Sequence, residues 1–97
     1  GTKTIPSGYA LAQNFPNPFN GATNIVFDLP RADRVRVTVH DLLGRNVATL
    51  LDAFVEAGDA TSRAPLLFDA GNLASGIYFV RMLTPAYSET KKIVLMR

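Results

Sequence analysis

The chain has 97 residues, 47% apolar and 19% charged, with no cysteine; that is one domain's length, enough to bury roughly two-thirds of its unfolded surface without metal or cross-links. The composition excludes a disordered segment, a disulfide scaffold, a thiolate metal site and a membrane-spanning apolar helix. Ten Lys and Arg against eight Asp and Glu leave a net charge of +2, too weak and too scattered for a nucleic-acid footprint.

Residues 1–8 read as a linker and residues 9–97 as the domain. The chain opens Gly1-Thr2-Lys3, without an initiator Met or a signal-peptide apolar core, so a piece excised from something longer is expected. In residues 11–20, Pro16 and Pro18 fix φ and remove two backbone donors, which excludes helix interior and central strand. Phe15 and Phe19 flank them, so a stiff extended segment pinned by both aromatics is expected. Strand periodicity follows. Over residues 23–29, Ile25, Phe27 and Leu29 share one face, and Pro30 ends the strand. Over residues 34–41, Val35, Val37 and Val39 alternate with Arg34, Arg36, Thr38 and His40, the pattern of a sheet with one wet face.

Leu42-Leu43-Gly44-Arg45 turns the chain, and residues 46–51 form a further strand. The leucines of 42–51 could support a helix, but Gly44 and the Val and Thr content argue against one. Residues 52–60 read as a loose connection, Leu66-Leu67-Phe68 as a short strand and Leu73-Ala74-Ser75-Gly76 as a turn with one buried Leu. The last two strands are 77–83 and 90–96. Six or seven short strands, with turn signals every eight to twelve residues, predict an all-β, antiparallel immunoglobulin-like sandwich.

Reactive chemistry is sparse. The single histidine, His40, lies on a polar strand face with no second imidazole. No serine sits in a nucleophile motif, and no phosphate loop, calcium loop or zinc spacing occurs. The carboxylates are dispersed. Asp28, Asp41 and Asp69 each close a strand, where Asp caps turns through its side chain. No catalytic residue, cofactor or metal is therefore expected. Arg34, Arg36, His40 and Arg81 can share one sheet face, either as a patch for an acidic partner or anionic glycan or as an ordinary solvated face. Phe79 is a candidate exposed aromatic. Tyr78, just after a glycine turn, is expected either to bury its ring and bond a main-chain group, as tyrosine corners do, or to belong to a surface that a receptor reads.

Several blocks occur in a telling order: Leu11-Ala12-Gln13-Asn14-Phe15-Pro16-Asn17-Pro18-Phe19-Asn20, then Thr23-Asn24-Ile25-Val26-Phe27-Asp28-Leu29-Pro30, then Asp41-Leu42-Leu43-Gly44-Arg45-Asn46-Val47-Ala48-Thr49-Leu50. Leu73-Ala74-Ser75-Gly76-Ile77-Tyr78-Phe79-Val80-Arg81 and Lys91-Lys92-Ile93-Val94-Leu95 complete them. Together they resemble the type A C-terminal sorting domains of the type IX secretion system over residues 9–97. Gly21 stands where that family often has a third proline, and residues 52–67 form a longer connection than is typical.

The resemblance implies a non-catalytic address domain behind an upstream cargo on the same chain. The cargo would pass through the periplasm, where the sandwich is recognised by an outer-membrane translocon and its β-barrel shuttle. A surface sortase would then remove the domain, leaving the cargo on the cell surface or released. Carried onto this chain, the implied recognition residues are Pro16, Asn17, Pro18, Gly76, Tyr78, Lys92, Val94 and Leu95. No nucleic acid and no membrane span are implied. Two rivals stay open on the sequence. The immunoglobulin-like part of flagellar hook-capping proteins shares the Asn17-Pro18-Phe19-Asn20 opening, a Thr-x-Ile strand and a late Gly-x-Tyr. An accessory or carbohydrate-binding sandwich of a glycan-active enzyme is the other.

Overall fold

The computed structural model describes residues 5–97, so residues 1–4 of the expected linker lie outside the described residues. Eight strands follow in order: β1 (Ala10–Leu11), β2 (Ala22–Ile25), β3 (Phe27–Asp28), β4 (Asp33–His40), β5 (Asn46–Val55), β6 (Leu66–Asp69), β7 (Gly76–Thr84) and β8 (Tyr87–Leu95). The described residues contain no helix, and the architecture is the expected all-β sandwich.

Branched residues at every second position build the larger sheet, because they fill a pleated, half-buried surface. Its order is β5-β4-β7-β8, antiparallel throughout. Val35, Val37, Val39, Val80, Met82 and Ile93 are completely buried on its inner face. The facing layer centres on the extended stretch 22–28, where β2 pairs with β6 and β3 pairs with β1. Ile25, Phe27, Leu29 and Phe68 descend from that layer into the same core. A two-residue turn, Pro85-Ala86, joins β7 to β8.

The strand-closing aspartates cap as expected. Asp41 Oδ1 accepts the Leu43 and Arg45 N–H groups at 2.9 and 3.0 Å, and Asp69 Oδ1 accepts Gly71 N–H at 2.9 Å. Asp28 instead reaches across to Ala60 N–H at 2.9 Å.

Four boundaries differ from the sequence reading, each for a local reason. The strand expected over 23–29 is two, because its two halves pair with different neighbours. β5 runs on to Val55 instead of loosening at Asp52. The missed part, residues 52–55, pairs with β4 in regular register, and it is the exposed Phe54, apolar on the outer face, that spoils the alternation there. The two register shifts fall earlier, at Leu50 and Val47, as extra bulge residues do. β8 starts at Tyr87, three residues early, since β7 zips straight back onto it. β1 has too few residues to show any period.

Phe15 is a further correction: it is 77% exposed and its ring pins nothing, whereas Phe19 is 1% exposed and meets Phe68 edge-on at 5.9 Å. At Gly21 the chain takes φ 90° to enter β2. Proline, locked near −65°, is barred from that backbone, which accounts for glycine there.

Candidate functional site

Proline cannot donate, so residues 15–19 cannot lie in a ladder on both sides, yet their carbonyls still need donors. Side chains supply them. Asn14 Nδ2 and the Thr23 hydroxyl both donate to Pro16 O, at 3.1 and 2.7 Å, and Asn14 Nδ2 also reaches Thr23 Oγ1 at 3.1 Å. Asn14 and Thr23 are 3% and 1% exposed. The Phe15–Pro16 and Asn17–Pro18 bonds are both cis. Asn14 and Thr23 were missed as site-building residues by sequence reasoning. The local signal was an Asn two places before a proline, while Thr23 reads as an ordinary strand residue.

The segment so shaped lies along the outer edge of β8. Gln13 Nε2 donates to Lys92 O at 2.8 Å, and Val94 N–H donates to Asn17 Oδ1 at 3.1 Å. Phe19 N–H donates to Val94 O, and Met96 N–H donates to Phe19 O, both at 2.9 Å. Phe19 thereby forms a one-residue parallel bridge to Leu95. Backbone groups that would otherwise be an open strand edge, an invitation to foreign strands, are closed by the proline segment.

The other side of β8 carries the glycine–tyrosine element. Gly76 stands opposite Leu95 and Tyr78 opposite Ile93. Tyr78 is 7% exposed and its hydroxyl donates to Ala74 O at 2.7 Å, the tyrosine-corner geometry expected of it. Arg97 fastens the same turn. Its backbone N–H donates to Ser75 Oγ at 3.0 Å, its Nε to Leu73 O at 2.9 Å, and its Nη2 to Gly71 O.

Three blocks far apart in sequence therefore meet on one strand. Of the eight implied recognition residues, Pro16, Asn17, Pro18 and Lys92 are exposed, and Gly76 and Val94 are partly so. Tyr78 and Leu95 are buried. They can shape the surface from beneath but cannot touch a macromolecule.

A carboxylate anchors the start of the domain to the same strand. Glu89 Oε1 accepts the Tyr87 hydroxyl at 2.5 Å and Leu11 N–H at 2.8 Å, and Oε2 lies 3.4 Å from Lys91 Nζ. The Tyr87 hydrogen bond first, and the Leu11 N–H second, hold the Glu89 carboxyl below its ordinary value; the same hydroxyl bond pushes Tyr87 up. Tyr9 stacks on Tyr87 at 4.9 Å with the rings 9° from parallel.

Arg34, Arg36, His40 and Arg81 do share the outer face of the large sheet. Arg34 is paired with Asp52 at 2.9 Å, and His40 Nε2 is 2.8 Å from the Thr38 hydroxyl. Among the described residues no group of three or more His, Cys, Asp or Glu could hold a metal ion, and no helix is long and apolar enough to cross a membrane.

No curated protein and no solved structure matches the chain. The profile of the family described as the secretion system C-terminal sorting domain matches residues 13–96, from the glutamine that bonds β8 to the residue just beyond it. Since the match covers nearly all the residues that shape the β8 edge, the chain belongs to the secretion system C-terminal sorting domain family of type IX secretion.

Proposed function

We propose that this domain is a non-catalytic address label, read by an outer-membrane translocon and its β-barrel shuttle through the surface centred on β8. An upstream cargo on the same chain would travel through the periplasm with it, and a surface sortase would then remove it. The receptor-facing members are Pro16, Asn17, Pro18 and Lys92. Tyr78 and Leu95 set their spacing from below, with Gly76 and Val94 partly exposed beside them. One observation carries the reading: Asn17 Oδ1 accepts the Val94 N–H, which joins blocks 77 residues apart into a single surface. A signal assembled in this way exists only in the folded domain.

The test fuses residues 1–97 to a periplasmic fluorescent reporter in a type IX-competent host. Wild-type fusion is expected outside the cell, and only when the translocon is present. Asn17→Ala removes one exposed hydrogen bond, at a cost of about 1 kcal/mol, so the domain stays folded while delivery falls severalfold. Export that persists without the translocon would overturn the reading. So would full delivery of a folded Asn17→Ala, Lys92→Glu double variant.

A further inference from the structure

The outer face of the β5-β4-β7-β8 sheet takes no part in the β8 edge apart from Lys92 and Val94, and it carries both cations and large apolar side chains. Register puts Arg36 opposite Leu83, Arg81 opposite Thr38 and Thr90, and Lys92 opposite Phe79. Arg36, Arg81 and Lys92 are all exposed and lie on one diagonal across β4, β7 and β8, roughly 7–8 Å between neighbours. Among the described residues none of the three has a carboxylate within 4.0 Å. Asp52, the acid that β5 adds to this face, stands opposite Arg36 in register, but its carboxylate is held by Arg34.

Apolar side chains stand among these cations. Phe54 is 65% exposed, Leu83 39% and Ile77 36%. Phe54 begins the diagonal, one strand and one row before Arg36, because it sits opposite Arg34. Leu83 and Ile77 fall to either side of it on β7, so one extended peptide tracking the cations would leave both wet. A planar partner covers all of them at once. From Phe54 to Ile77 the face spans five rows, roughly 26 Å along the strands.

We infer that this face is a membrane-docking surface for anionic phospholipid. Arg36, Arg81 and Lys92 meet the phosphate headgroups, while Phe54, Leu83 and Ile77 enter the interfacial layer, as cations and apolar groups do on peripheral proteins. The inference stands apart from translocon recognition, and its test needs no translocon.

The 97-residue chain is sedimented with vesicles of phosphatidylcholine alone and of phosphatidylcholine containing one-third phosphatidylglycerol. Pelleting is expected only with the anionic vesicles, and it should weaken as salt rises. Arg36→Gln and Arg81→Gln should each lower partitioning about five-fold, the equivalent of about 1 kcal/mol per cation near an anionic surface. Phe54→Ser should lower it independently of salt. All three side chains are exposed, and thermal melts check that the variants remain folded. Absence of pelleting with anionic vesicles would overturn the proposal, as would pelleting that the Arg36→Gln, Arg81→Gln double variant leaves unchanged. Retention on soluble poly-glutamate without vesicle binding would assign the face to an acidic protein segment instead.

Discussion

At the scale of single residues, Glu89 shows how one carboxylate can organise distant parts of the chain. It accepts from Tyr87 on its own strand and from Leu11, 78 residues away. Its folded pKa is depressed by those donors, so the stabilisation is complete above the ordinary glutamate value of about 4.3 and is lost as pH falls through the lower folded value. Replacing Glu89 by Gln should therefore cost about 1 kcal/mol at neutral pH. The gap to wild type should stay constant down to about pH 5 and close below it, as urea denaturation at a series of pH values would show. Nothing in the sequence singles out Glu89, because its partner Leu11 is defined only by folding. Tyr78 was legible for the opposite reason: its acceptor, Ala74 O, lies four residues back, within reach of local geometry.

At the scale of elements, the proline segment and β8 form one unit in which the two phenylalanines have unequal roles. Phe19 is buried against Phe68 and bridges to Leu95 through its backbone. Phe15 stands in solvent. Phe19→Ala should cost about 3–5 kcal/mol, the usual cost of a buried aromatic. Phe15→Ala should stay within about 0.5 kcal/mol, and equilibrium denaturation of the two variants separates them. The sequence could not make this distinction. Both rings flank prolines, and which one turns inward depends on where β8 passes. Strand β5 was half-hidden for a different reason: its residues 52–55 pair with β4 in regular register, but Phe54 stands exposed on the outer face, where the alternation calls for a polar residue.

At the scale of the whole molecule, the proposed address and the fold share the same residues. Ile93 and Leu95 are core residues, 0% and 1% exposed, and Arg97 ties the β6–β7 turn to the end of β8. Removing residues 93–97 takes away two buried side chains at about 2–5 kcal/mol each, against a total stability of about 5–15 kcal/mol. A chain ending at Lys92 should lose its cooperative melt by circular dichroism, so failed export of such a truncation would report unfolding and not a missing contact. Point changes at Asn17 and Lys92 are the cleaner probe. The sequence by itself determined the layer class, the faces of β4, β7 and β8, and the blocks that mark the family. Those depend on period, turn chemistry and order, all of which are written locally. Only the tertiary structure decided that residues 13–19 close the edge of β8, that Tyr78 and Leu95 lie beneath the surface, and that Arg36, Arg81 and Lys92 align. Each of these depends on register between segments up to 79 residues apart, which no local pattern encodes.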